Sequence, residues 1–314
     1  MTSALRIAGL AATALLFAGC DDWGDWGDSG RFKEDFHQTY TLKPGGRVSL
    51  ENSNGSVEIL GWEKDSIDVS GTKYASTDTV LRALKIDIVS SLDSIRIRTV
   101  PPTGHRGNWG AKYIIRVPRR VELERIGSSN GSIRIEDLEG AARLRTSNGG
   151  VRVSRVNGPV EIETSNGGVD VVEHNGSVIA RTSNGGIRAD NVRGQFEATT
   201  SNGSINARLA DPQPGKPVKL DSSNGSVTLT MDAIKDNDVR ITTSNSSITL
   251  KLPSSAKGML KANTSNSNSI TTDFDVSIRS GQISKAHLEG ALNGGTGPMF
   301  DLSTSNGSIR ILKL

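Results

Sequence analysis

The sequence predicts an all-β chain built as a single-stranded parallel β-solenoid with rungs of roughly 18–22 residues. Its coil is right-handed by the crossover preference of parallel strands. Three observations predict this. Glycine recurs every nine residues, at Gly131, Gly140, Gly149, Gly158, Gly167, Gly176, Gly185, Gly194 and Gly203. The residues two and four places after each glycine are apolar throughout, from Ile133 and Ile135 to Ile205 and Ala207. Finally, Ser-Asn-Gly returns every eighteen residues, which sets Asn130, Asn148, Asn166, Asn184 and Asn202 in one column.

Each nine-residue unit therefore reads as a turn and a short strand with one buried face. Two units make a rung. A rung of two strands cannot bury its inner face alone, so rungs must stack, each pairing with the next at ~4.8 Å. Only 4% of the residues are aromatic, so the core must be aliphatic. At the corners, Asn and Gly tolerate the left-handed backbone that a sharp turn requires. Stacked in register, the Asn side chains form amide ladders along the axis.

The elements follow in order along the chain. Residues 1–19 combine Arg6, an apolar stretch from Ile7 to Phe17 and small residues, the layout of a secretory signal. The end of that segment, Leu16-Phe17-Ala18-Gly19-Cys20, resembles a bacterial lipoprotein box, with Phe17 where Leu is usual. The resemblance implies that Cys20 carries lipid and becomes the mature N-terminus. Acyl chains contribute ~0.8 kcal/mol per buried CH₂ and would hold the chain at a membrane. Residues 20–36, rich in Gly and Asp around Trp23 and Trp26, read as a hydrated tether. Cys20 is the one cysteine, which excludes an internal disulfide.

The solenoid spans 37–314, with an irregular cap region at 37–125 and regular rungs at 126–314. Asn54-Gly55 is an early copy of the unit, followed by alternating runs at 66–71, 84–90, 94–99 and 112–117. The stretch 76–85 reads as strand or short helix. The column continues at Asn224, Asn245, Asn266 and Asn306, the last gap of 40 residues matching about two rungs. An open stack edge would recruit other strands, so a cap is expected.

Chemistry along this frame is sparse. Net charge is +3, and outward residues one rung apart alternate in sign: Arg152–Asp170–Arg188, Arg143–Glu161 and Arg145–Glu163–Arg181. These read as cross-strand ion pairs. A nucleic-acid groove would keep one sign and interleave aromatics, so nucleic acid is excluded as a partner. The nine-residue units lack the carboxylate of calcium-binding nonapeptides, so no metal and no cofactor is implied. His174 takes the slot of Leu138, Val156 and Val192 in sister rungs, so it reads as a corner residue and not a ligand. The loop 101–113 offers Arg106, Trp109 and Tyr113 as candidate contacts, or as a cover for the core end.

Ser53-Asn-Gly-Ser-Val57, Ile115-Arg-Val-Pro118 leading into Ser129-Asn-Gly-Ser-Ile133, and the repeated Thr-Ser-Asn-Gly down to 304–307 resemble the bacterial β-strand-repeat family labelled "putative adhesin". The resemblance covers 37–314 and brings no catalytic residues. It implies a non-enzymatic cell-envelope lipoprotein acting as an adhesion or binding module. Its partners would be the membrane, through the lipid anchor, and an envelope polymer, glycan or protein. The chain would sit on the periplasmic side of either bacterial membrane or at the surface. A structural spacer or self-associating scaffold is the alternative reading, and an envelope carbohydrate-active enzyme the third.

Overall fold

The computed structural model describes residues 31–104, 108–265, 269–278 and 284–314. It is all-β, with two long sheets of 13 and 14 strands and one short helix. From Val121 to Leu252 consecutive strands alternate between the sheets. Ile133–Glu139, Val151–Asn157, Val169–Asn175 and Ile187–Arg193 lie side by side in the first sheet. Ala142–Thr146, Val160–Glu163, Val178–Arg181 and Phe196–Thr200 lie in the second. All these neighbours are parallel, and the register is the eighteen-residue repeat: Val151 faces Ile133 on one side and Val169 on the other.

Period-two patterning decides what is buried. Val151, Val153, Val160 and Ile162 point between the sheets, while Arg152 and Glu161 point out. The result is one continuous aliphatic core from Leu42 to Ile311. Burying a Val or Ile side chain contributes roughly 1.5–3 kcal/mol. Each inner side chain is covered only when rungs lie on both sides of it, so the stack is stabilised by its neighbours.

The ends depart from the expected uniform parallel solenoid: the sheets are mixed. At the N-terminal end, Gly46–Asn54 and Val57–Trp62 form a rung directly against Val121–Asn130 and Ile133–Glu139. Ser94–Val100 and Trp109–Pro118 form the next rung outward. Antiparallel strands close this end: Lys85–Ser90 on the second sheet, Ser66–Ala75 and Phe32–Thr41 on the first. The expected cap region thus contains a regular rung, and the first strand among the described residues starts at Phe32, within the expected tether. The helix Asp78–Ala83 starts where Thr77 accepts a bond from the Val80 N–H, a normal cap.

The C-terminal end repeats the trick. Met299–Thr304 and Ile309–Lys313 slot between the rung Val239–Thr243/Ile248–Leu252 and the outer strands Gly258–Asn263 and Ile270–Thr272. His287–Leu292 then covers Gly258–Asn263 in the antiparallel sense. The two rungs expected between Asn266 and Asn306 are therefore not stacked in chain order, because residues 299–313 slot in before the strands of 258–272. Asn306 stands directly on Asn245. The outermost strands here, Ile270–Thr272 and Val276–Ser277, are very short, a common way to blunt a sheet edge.

Candidate functional site

The most regular surface of the molecule is the corner that joins the second sheet to the first. In Thr146-Ser147-Asn148-Gly149 each residue has a separate task. The buried Thr146 hydroxyl donates to the Gly131 carbonyl one rung away, at 2.8 Å. Thr164, Thr182, Thr200, Ser222 and Thr243 repeat this bond at 2.9 Å. The Asn148 backbone N–H donates to the Ser129 carbonyl at 2.9 Å. Gly149 leaves room for the carbonyl beneath it: a Cβ there would lie 2.1 Å from the Gly131 oxygen. That oxygen cannot move away, because it is the acceptor for Thr146. The Thr and Ser column was legible as part of the motif, but its role was not deduced from the sequence.

The Asn side chains form one directed ladder. The amide NH₂ groups of Asn148, Asn166, Asn184, Asn202, Asn224, Asn245 and Asn306 each donate to the amide oxygen of the preceding ladder residue, at 2.7–2.8 Å. Asn130 donates to Asn54 at 2.7 Å, and Asn54 to the Trp109 carbonyl at 2.8 Å. Asn54 is thus a member that the spacing did not assign. Asn266 lies outside the described residues.

The expected backbone reason for this corner is corrected. From Asn130 onward none of its described Asn or Gly residues has a positive φ. The left-handed residues sit at the opposite corner: Asp137, Arg155, Glu173 and Asn191 at φ 50–58°, followed by Gly140, Gly158, Gly176 and Gly194 at φ 139–143°. Arg155 bridges rungs there, its Nε donating to Asp137 at 2.8 Å and its guanidinium pairing with Glu136.

His174 faces inward at this second corner, 1% exposed, beside Val192 in register. Neither ring nitrogen has a hydrogen-bond partner. Burial outweighs the nearby backbone of Ser177 and Gly158 and lowers its pKa to about 4. It is a core histidine, more enclosed than its position predicted.

The candidate contact residues are not brought together at the surface. Tyr113 is buried, and its hydroxyl lies 2.6 Å from Thr99 Oγ1. Burial, partly offset by that bond, raises its pKa to about 12. Trp109 is half-buried against Ala75, Val80 and Leu81, and so covers the short helix. Arg106 and Cys20 lie outside the described residues. The end of what reads as a loop, from Trp109 on, opens the strand Trp109–Pro118, whose inward positions Ala111, Tyr113, Ile115 and Val117 alternate.

The outer faces carry the expected pairs: Arg152–Asp170 at 3.4 Å, Arg143–Glu161 at 3.7 Å and Arg145–Glu163 at 3.3 Å. Arg181 turns to Glu161 at 3.7 Å instead of Glu163, and Arg188 stands beside Asp170 with no ion pair among the described residues. Exposed pairs of this kind contribute ~0–1 kcal/mol each.

No family model matches the sequence, and no curated protein matches it. Solved structures resemble it at low identity. A "putative lipid binding protein" from Parabacteroides distasonis is 13% identical over 91% of this chain and 98% of that one, with a TM-score of 0.45. A "putative adhesin" from Bacteroides fragilis is 11% identical over 90% and 97%, with a TM-score of 0.44. A second "putative adhesin", also from Parabacteroides distasonis, is 10% identical over the same shares, with a TM-score of 0.34.

Proposed function

We propose that this chain is a non-enzymatic bacterial envelope protein, lipid-anchored through Cys20, that binds an extended polymer along its Asn corner. One observation carries the reading. The Asn amides are exposed and spend one N–H and one oxygen lone pair on the ladder, so each keeps a second donor and acceptor for solvent. From Asn148 to Asn245 these groups recur at each rung, about 4.8 Å apart. Evenly repeated polar groups on a stiff support suit a repeating glycan or cell-wall polymer better than a single small molecule. Two measurements test this. The full chain should co-sediment with purified cell-wall sacculi, and replacing Asn166, Asn184 and Asn202 together by Ala should weaken retention at least tenfold while the fold persists. Equal retention of the triple variant would remove the corner from the reading. Separately, metabolic labelling with a palmitate analogue should mark the chain and spare Cys20→Ala; labelling of both would remove the anchor.

A second reading, self-association, is favoured by the ten-residue strand Phe32–Thr41, which is the outermost strand of its sheet. Strand addition at such an edge is a known mode of assembly. Sedimentation velocity across concentrations distinguishes the two: a growing particle supports assembly, a constant one the polymer-binding monomer.

A further inference from the structure

The outward face of the second sheet contains a column in which Arg98, Glu51, Gly127, Arg145 and Glu163 follow one another across neighbouring strands. Four of the five have long charged side chains; Gly127 has none. Packing does not require glycine here. A Cβ on Gly127 would meet only the Arg145 and Leu50 carbonyl oxygens at 3.8 Å, an ordinary contact, and the backbone is not left-handed. The missing side chain leaves a shallow hollow of about 380 Å³ between Arg98, Arg125 and Arg145, with Ser129 and Ser147 on its rim.

A second feature points to the same place. The strand Val121–Asn130 shifts register against Gly46–Asn54 between Val48 and Ser49, because Glu124 is an extra residue. Two adjacent residues, Glu124 and Arg125, consequently face solvent. Bulges of this kind re-aim side chains and are enriched beside binding sites. Glu124 takes Arg47 at 3.3 Å, which leaves Arg125 at the hollow with Glu51 at 3.7 Å. Arg145 leans to Glu163 at 3.3 Å, and Arg98 has no ion-pair partner among the described residues. Three guanidinium groups therefore line one hollow: Arg125 faces Glu51, Arg145 faces Glu163, and Arg98, opposite Asp87 in register, makes no ion pair among the described residues.

We propose that this hollow binds a phosphate group. Guanidinium forks donate paired hydrogen bonds to oxyanions, and a doubly charged tetrahedral ion can engage more than one fork at once. The serine hydroxyls on the rim supply further donors. The phosphate is either free or carried as an ester on an envelope component, since the hollow is open enough to leave one oxygen substituted. The site stands on its own geometry and takes the same group whether or not the Asn corner meets a polymer.

The test is calorimetric titration of the full chain at low ionic strength with inorganic phosphate and, separately, with glycerol 3-phosphate. Saturable binding of either is expected. Arg98→Ala and Arg145→Ala should each weaken it at least fivefold. Gly127→Gln, which fills the hollow on an exposed strand face, should abolish it without lowering the melting temperature by more than a few degrees. Arg188→Ala, on the other sheet, should bind as the parent does. Comparable binding of both probes identifies an ester-carried group, and binding of inorganic phosphate alone a free ion. Failure of both probes, or undiminished binding by Gly127→Gln, overturns the site.

Discussion

The two corners of each rung contain the same residue for one shared reason and one that only the second corner has. At the Ser-Asn-Gly corner, from Asn130 onward, the backbone is ordinary, and glycine is needed because a carbonyl oxygen from the adjacent rung occupies the space of its Cβ. At the opposite corner glycine sits at φ near 140°, three residues after a non-glycine residue in the left-handed region. Close approach operates at both corners, since a Cβ on Gly158 or Gly176 would lie 2.3 Å from the carbonyl oxygen one rung away, and the unusual backbone is added only at the second. A glycine pattern in a sequence is thus a statement that something is forbidden, without saying what.

The sharpest way to break this comparison is within one motif. Gly167 and Gly168 are adjacent, yet a Cβ on Gly167 would lie 1.8 Å from the Gly149 oxygen, while one on Gly168 would clear its nearest neighbour at 3.4 Å. The chain itself places Ser at the second position in other rungs, as Ser132, Ser204 and Ser226. Gly167→Ala should destabilise by about 3 kcal/mol or more and Gly168→Ala by less than about 1 kcal/mol, measured by urea unfolding. Similar losses from both would show that clearance is not what selects glycine here. In the sequence Ser246 and Ser267 hold the first position in two copies, and nothing in the structure explains the departure at Ser246.

The second largest effect belongs to the opposite corner and is visible only in acid. His174 has a folded pKa of about 4 against 6.5 when unfolded. Above pH 6.5 both states are neutral and the group makes no difference. As pH falls from 6.5 to 4 the unfolded chain takes up a proton that the folded chain refuses, and stability is lost. The full loss is about 3 kcal/mol by pH 4, with none beyond it. His174→Val matches the sister rungs and should flatten the stability curve in that window. A His174→Val curve parallel to the parent's would mean that the ring is solvated in solution.

How far the sequence could see follows from the same physics. In the middle of the chain each rung stacks on its successor, so spacing alone sets the register of Val151, Val169 and Ile187. At the ends the rungs 46–62 and 299–313 stack beside partners that are far away in sequence. Because every Ser-Asn-Gly copy presents the same bonding face, any copy fits any other, and spacing cannot tell which pair will meet. Tyr113 was misplaced for a different reason: the Pro, Gly and Arg around it suggested a loop, and its own alternation with Ala111 and Ile115 was the better signal. The left-handed positions were hidden because Arg155 and Glu173 are not residue types that favour that backbone.

Within the Ser-Asn-Gly corner, hydroxyl and amide columns should differ in strength. Thr182→Val keeps the shape but leaves the buried Gly167 carbonyl without its hydroxyl donor, a loss of about 1–3 kcal/mol, whereas Thr182→Ser should retain most of the stability. Asn184→Ala removes two ladder bonds, one to Asn166 and one from Asn202, but both are exposed and water replaces them. About 1 kcal/mol is expected. If Asn184→Ala proved the costlier of the pair, the outer ladder and not the buried hydroxyl column would hold the corner together.

The smallest effect is the one that separates strain from pairing. A left-handed conformation costs a non-glycine residue roughly 1–2 kcal/mol, and glycine removes that cost while giving back about 0.4–1 kcal/mol through the greater freedom of the unfolded chain. Glu173 is exposed and makes no ion pair among the described residues, so Glu173→Gly has only these two terms and should stabilise by about 0.5–1 kcal/mol. Arg155 has the same backbone at φ 50° but holds Asp137 and Glu136 across the rung gap. Arg155→Gly gains the same relief and loses those pairs, each worth about 0–1 kcal/mol at the surface, so its net change should lie near zero or below. High salt should narrow the difference between the two variants by weakening the pairs in the parent. Two equal stabilisations at low salt would mean that Arg155 is tolerated at this corner and not held there by its carboxylates.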